Sequence, residues 1–209
     1  WRPAYIKMKF LIFLFIACAL NAEATIFNSK AIVHPEVGKN GMVVSQHYLA
    51  TNAGHLILKK GGNAYDASIA VAFALAVVLP RAGNIGGGGF MIMFDEASQE
   101  SYSIDYRETA PEAATKNMFL APDGSVDKKR ATQGILSIGV PGTVYGMWEV
   151  HKKFGSLPWA TLLAPAIELA EDGFLVSPFM ADALNKRYKK LGKYKNFKSI
   201  FYSNYPVQM

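Results

Sequence analysis

Gly83-Asn84-Ile85-Gly86-Gly87-Gly88-Gly89-Phe90-Met91 joins an apolar helix-like segment to an apolar strand-like one. Ordering four glycines in a row (Gly86 to Gly89) is entropically expensive. A fold accepts that where the backbone needs positive φ or where something must come very close to it. Asp105-Tyr106-Arg107-Glu108-Thr109-Ala110-Pro111 lies downstream, where a lone arginine ends a strand-like run and a proline stops it. The pair suggests the frame of a small-molecule site, with a turn to admit a ligand and an arginine to hold a carboxylate.

The neighbouring segments place this frame in a mixed fold. Upstream, Leu49 to Lys59 has apolar residues at helical spacing and stops at Lys59-Lys60-Gly61. Asn63 with Asp66 forms a capping-box pattern ahead of Ala67 to Leu79, which is apolar at every position but Ser68. Such a helix belongs inside a core, and Pro80 ends it. Gly41 to Ser45 suggests a short buried strand. Downstream, strands are expected over Phe90 to Phe94 and Ser101 to Tyr106, with a hairpin turn from Glu96 to Gln99. Gly139-Val140-Pro141-Gly142-Thr143 turns into a helix from Val144 to Phe154. Further helices run from Trp159 to about Glu171 and, capped by Ser177-Pro178, to about Leu191. Helices interleaved with hairpin strands specify a layered α/β or α+β domain.

Composition agrees with a packed domain: 209 residues, 51% hydrophobic and 18% charged, with a formal charge of +6. Met8-Lys9, the eleven apolar residues Phe10 to Leu20 and Ala22-Glu23-Ala24 have the layout of a secretory signal peptide. The apolar run is shorter than the roughly 20 residues of a membrane span. A lipid-modified Cys18 is the weaker variant, because Phe15 fits poorly three residues before it. Residues 1–7 read as upstream or non-native, 8–24 as the signal peptide and 25–209 as the mature segment. Cleavage after Ala24 leaves 19 basic and 15 acidic residues, a charge of +4, and removes the only cysteine. Disulfide and thiol chemistry are thereby excluded from the mature segment.

Other chemistries find little support. A P-loop needs Gly-Lys-Ser/Thr where this run has Gly89-Phe90. The dinucleotide fingerprint needs strand, loop, helix, and here the order is helix, loop, strand. A tight turn without any ligand remains the bland alternative. Arg107 equally suits a solvated surface arginine or an ion pair with Asp105 or Glu108. His34, His47, His55 and His151 have no metal-ligand spacing, and His47 before a helix suits a cap or core position. No Gly-x-Ser-x-Gly elbow occurs. Lys186 to Lys198 holds seven basic residues and no acid, which reads as a solvated helix face rather than a nucleic-acid patch. Tyr188, Tyr194 and Phe197 are expected to anchor it to the core.

A family resemblance rests on motifs in order. These are His47-Tyr48-Leu49-Ala50-Thr51-x-Ala53-Gly54, Gly61-Gly62-Asn63-Ala64-x-Asp66-Ala67, the glycine run through Met91, and Asp105-x-Arg107-Glu108-Thr109-Ala110-Pro111. Gly139-Val140-Pro141-Gly142-Thr143 and Pro165-Ala166-Ile167-x-Leu169-Ala170-x-x-Gly173-Phe174 complete the set. Together they resemble the N-terminal part of the large subunit of a γ-glutamyltranspeptidase, or glutathione hydrolase. The resemblance implies an N-terminal-nucleophile hydrolase fold of four αββα layers, exported to the periplasm or cell surface. It implies a zymogen that cuts itself into large and small subunits. The new N-terminal threonine of the small subunit attacks the γ-glutamyl amide of substrates such as glutathione, and water or an amino acid takes the acyl group. Small-subunit glycine N–H groups stabilise the oxyanion. No metal or organic cofactor is implied. The Arg-Glu-x-Ala-Pro arginine, matched by Arg107, grips the substrate α-carboxylate. Tyr48, Leu79 and Gly83-Asn84 depart from common family residues in the manner of a subfamily.

No Thr-Thr-His or Thr-Ser-His stretch is present to begin a small subunit, so no catalytic residue is assigned within this chain. The chain ends at Tyr205-Pro206-Val207-Gln208-Met209 without a closing element and is expected to be a fragment, inactive alone. A related cephalosporin acylase, a capsule-processing transpeptidase and a non-catalytic exported binding remnant are the alternatives.

Overall fold

The computed structural model describes residues 35–208. Residues 1–7 and the expected signal peptide at 8–24 lie outside that range. Residues 35–39 belong to a separate N-terminal unit and carry no helix or strand. Among the described residues every helix and strand lies in the unit that begins at Asn40.

Helix α1 spans Tyr48–Lys59 and starts where the His47 Nδ1 accepts a hydrogen bond from the Leu49 N–H at 3.3 Å. Gly61, at φ +87°, turns the chain out of it. Helix α2, Ala64–Val78, begins with the expected reciprocal box. The Asp66 N–H donates to Asn63 Oδ1 at 2.9 Å and the Asn63 N–H donates to Asp66 Oδ2 at 3.1 Å. Ile69, Ala70, Ala74 and Val78 on α2 are fully buried. Small side chains let α1 pack closely on one flank of α2 through Ala50 and Ala53.

The hairpin comes next. Strand β1, Phe90–Asp95, pairs antiparallel with β2, Glu100–Asp105, in a register from Phe90↔Asp105 to Asp95↔Glu100. Gln99, at φ +57°, closes the turn. Alternation sends Met91, Met93, Tyr102 and Ile104 toward the helices. Phe90, Ile92 and Phe94 point the other way and are 64%, 86% and 54% exposed.

Beyond the short helix α3, Lys128–Thr132, come α4, Thr143–Phe154, and α5, Trp159–Asp172. Ile57, Ile69, Met93, Met147, Val150 and Leu162 make the main core, uniting α1, α2, β1, α4 and α5. Burying each such side chain stabilises the fold by about 1.5–3 kcal/mol. Helix α6, Pro178–Leu191, is capped by the Ser177 hydroxyl, which accepts from the Met180 N–H at 3.2 Å. Helix α7, Lys195–Phe201, leads to Tyr202, whose hydroxyl donates to the Leu184 carbonyl at 2.8 Å. The architecture is α+β: α1, α2, α4 and α5 share a core with one two-stranded sheet among the described residues.

Two expectations need correction. Gly41 to Ser45 is not a buried strand: it pairs with no strand among the described residues, and Met42 and Val44 are 53% and 80% exposed. Only Val43 reaches the main core, so an apolar run without a partner ladder stays irregular. Tyr194 does not anchor the basic segment, since it is 47% exposed. Tyr188 does, stacked edge-on against buried Tyr202 with ring centroids 5.0 Å apart.

A fully buried carboxylate ties the helical layer together. Asp66 also accepts from the Ser156 N–H at 3.2 Å and from the Ser156 hydroxyl at 2.5 Å. Beside it, the Asn63 amide donates to the Phe154 carbonyl at 2.7 Å. The start of α2 is thereby clamped to the α4–α5 connection.

Candidate functional site

Three loops distant in sequence meet at one end of the hairpin. The Gly87 carbonyl accepts from the N–H groups of Gly142 and Thr143 at 2.8 and 3.0 Å. The Thr143 hydroxyl donates to Asn84 Oδ1 at 3.2 Å. The Tyr106 N–H donates to the Gly89 carbonyl at 3.0 Å, and Thr109 and Val140 exchange backbone bonds at 3.2 and 2.9 Å. The glycine run, the Arg107 segment and the Gly-Val-Pro-Gly-Thr turn are therefore one node.

The glycines explain how they fit. None of Gly86 to Gly89 has a positive φ, so conformational freedom is not the reason for the run. Close approach is. A Cβ on Gly88 would lie 2.5 Å from the Tyr106 carbonyl oxygen and 2.7 Å from the Arg107 Cα. A Cβ on Gly142 would overlap that same carbonyl, and one on Gly146 would sit 2.5 Å from the Tyr106 Cβ. The turn that the sequence suggests would admit a ligand admits instead the chain's own Tyr106–Glu108 backbone. Tyr106 sits in a seat of glycines, and burial raises its phenol pKa. Gly146→Ala is expected to lower stability by about 1–3 kcal/mol, because the tyrosine must yield to the new methyl. Urea unfolding of the two proteins checks it.

Arg107 leaves this seat exposed. Its guanidinium carbon lies 5.8 Å from the centre of the Phe90 ring, near the outer limit of cation–π attraction. The ion pair with Asp105 that the sequence allows is not made; Asp105 instead accepts from the Arg107 backbone N–H at 2.9 Å. Among the described residues the guanidinium has no carboxylate partner. A groove of about 330 Å³ opens from the next residue, bounded by Glu108, Ala110, Met118 and Leu136. Arg107 is thus a cation on a braced loop, with donors free for an anion.

A family model described as Gamma-glutamyltranspeptidase matches residues 50–208. The chain belongs to the γ-glutamyltranspeptidase family. A glutathione hydrolase proenzyme from Pseudomonas sp. (strain A14) is 46% identical over 170 residues, covering 81% of this chain and 28% of that protein. The crystal structure of Helicobacter pylori γ-glutamyltranspeptidase superposes with a TM-score of 0.78 at 43% identity, over 84% of this chain and 50% of that one. The cephalosporin acylase of Bacillus halodurans shares the fold at greater distance, with TM-score 0.64, 31% identity, and coverage of 80% and 32%. The chain therefore spans well under two thirds of the length of these relatives. Its fold is that of the N-terminal-nucleophile hydrolases of this family. The described residues hold helices and a single two-stranded sheet, an incomplete version of the expected αββα stack.

Sequence reasoning isolates Arg107 but not what holds it. Phe90 reads with the glycine run as framework on the substrate-binding side, and Tyr106 draws no notice between its charged neighbours. The usable signal is the concentration of glycines at 88, 89, 142 and 146, since glycines that are not turning a chain are making room. His47 is a cap, as its place before a helix suggests, and burial lowers its pKa from 6.5. The cap needs a neutral imidazole, because the Nδ1 must accept. A depressed folded-state pKa means the stabilisation is complete above pH 6.5 and is lost as pH falls through the folded value. His47→Asn, which caps at any pH, is expected to flatten the fall of the thermal midpoint between neutral and mildly acidic buffer. An unchanged pH profile would rule this out.

Proposed function

We propose that this chain supplies the carboxylate-binding side of a glutathione hydrolase/γ-glutamyltransferase, and that Arg107 binds the α-carboxylate of the γ-glutamyl group. The observation that carries the reading is the unpaired guanidinium held on the three-loop node. Two parallel N–H donors match two carboxylate oxygens, which gives orientation as well as attraction. In the proposed reaction a threonine hydroxyl from a small subunit attacks the γ-amide carbonyl, with its own α-amine taking the proton. The C–N bond breaks, the amine departs with that proton, and the acyl-enzyme passes to water or an amino acid. No metal or organic cofactor takes part in these steps. The residues of this chain hold the substrate while the threonine segment does the chemistry, so the chain by itself is proposed to be inactive.

The uncovered apolar face of Phe90, Ile92 and Phe94 supports the same picture, since a stacked second sheet would bury it. Residues 8–24 are proposed as an export signal and 25–209 as large-subunit sequence, with a periplasmic or cell-surface destination. Among the described residues no helix is long and apolar enough to cross a membrane.

The test joins this chain to the remaining portion of the Pseudomonas proenzyme and follows release of aniline from γ-glutamyl and α-glutamyl anilides. Turnover of the γ-linked substrate alone, lost with the nucleophilic threonine, is expected. Equal turnover of a cephalosporin side-chain amide would favour the acylase alternative. Saturable glutamate binding by this chain alone would favour a binding remnant.

A further inference from the structure

The formal charge of the chain is not spread over it. Of 22 basic and 16 acidic residues, positions 173–209 hold seven basic and one acidic, Asp182. The remainder carries fifteen of each, so the whole excess of +6 lies in the last two helices and their flanks. Lys186, Arg187, Lys189, Lys190, Lys193, Lys195 and Lys198 are all exposed. One of them is paired: Lys186 Nζ lies 2.7 Å from Asp182. Lys186, Lys189 and Lys190 share a stripe of α6 by their spacing, and Lys193 continues it past the helix end. Lysines in the last turn of α6 offset its dipole, as Lys198 does for α7, but Lys193 and Lys195 lie outside both last turns and have no such role.

Exposed apolar side chains adjoin these cations in sequence. Ile200 is 70% exposed and Tyr194 47% exposed, both within the α6–α7 segment. Exposed lysines adjoined by an exposed aromatic and an exposed aliphatic residue match an anionic bilayer surface, where the cations meet lipid phosphates and the apolar groups enter the headgroup layer. An acidic protein surface would leave Ile200 wet. A nucleic acid would call for free flat aromatic platforms, and the Tyr188 ring is taken up by Tyr205, stacked on it, and by Tyr202, edge-on to it.

We infer that the α6–α7 face is a peripheral docking surface for anionic phospholipid bilayers. The site is independent of Arg107 and of the γ-glutamyl reaction.

The full chain is spun down with vesicles of phosphatidylglycerol and phosphatidylcholine, or of phosphatidylcholine alone, in dilute and in high salt. The N-terminal apolar segment contributes equally to every variant, so differences between variants report the face. Each lysine near an anionic surface strengthens binding about fivefold. Lys189→Gln/Lys190→Gln/Lys193→Gln is expected to weaken binding to the anionic vesicles about a hundredfold and to reduce its salt dependence. Lys59→Gln/Lys60→Gln/Lys128→Gln, which removes equal charge from other exposed positions, is expected to bind as the parent does. Equal losses in the two variants, or none in the first, would overturn the inference. So would single-stranded DNA competing the chain off the vesicles through the same three lysines.

Discussion

Arg107→Ala, in the enzyme completed with the Pseudomonas portion, is expected to raise the KM for a γ-glutamyl amide about a hundredfold while kcat changes far less. The guanidinium would hold the carboxylate equally in the ground and transition states, and loss of such uniform binding falls on KM. A charge-assisted bidentate contact of about 3 kcal/mol corresponds to a little over a hundredfold. Arg107→Lys keeps the charge but not the paired donors, so a rise of about tenfold is expected. Substrate chemistry sharpens the test. An amide whose α-carboxyl is replaced by hydrogen should be a poor substrate for the parent and should lose nothing further with Arg107→Ala. If that substrate loses as much as the natural one, the arginine supports the loop and does not touch the ligand. An unchanged KM in both variants would remove Arg107 from the site.

Asp66→Ala is expected to be the most damaging single change to the fold, lowering stability by about 3–5 kcal/mol. Its carboxylate accepts from the Asn63 N–H, the Ser156 N–H and the Ser156 hydroxyl, and its side chain is fully buried. Removing it leaves those donors without a partner inside the protein, each at about 1–3 kcal/mol. Domains of this size are stable by only about 5–15 kcal/mol, so the variant is close to unfolding at ambient temperature. Ser156→Ala removes one donor together with its own need for a partner and is expected to cost about 1 kcal/mol. Urea midpoints of the three proteins rank them, and an Asp66→Ala midpoint within error of the parent would show that the clamp contributes nothing.

Local chemistry was legible in the sequence and long-range chemistry was not. Asn63 and Asp66 announce a helix start through their spacing, and the structure has that cap. Ser177-Pro178 does the same for α6. The hairpin is visible because apolar residues alternate on both sides of a polar turn. Nothing in the same residues says that Asp66 also reaches Ser156, which lies ninety positions away. The Gly86–Gly89 run is recognisable as a place of close approach, but the approaching group emerges only in three dimensions. Arg107 stands out through motif order, whereas Tyr106 acquires meaning only from the loops that surround it. Gly41 to Ser45 misleads because an apolar run predicts burial and pairing together, and this one has neither as a whole. Helices α3 and α7 carry too few periodic positions to be read in advance.

The outward face of β1 also has a consequence for how the protein is made. Both strands of the hairpin leave the ribosome before α4, whose Met147 completes the core beneath them. Phe90, Ile92 and Phe94 wait longer still, since nothing in residues 40–208 covers them. Both edges of the two-stranded sheet are unpaired among the described residues as well. During synthesis this hairpin is thus an open template for strand addition, by a neighbouring nascent chain as readily as by its proper partner. A holdase that shields it would keep that template closed until the proper partner arrives.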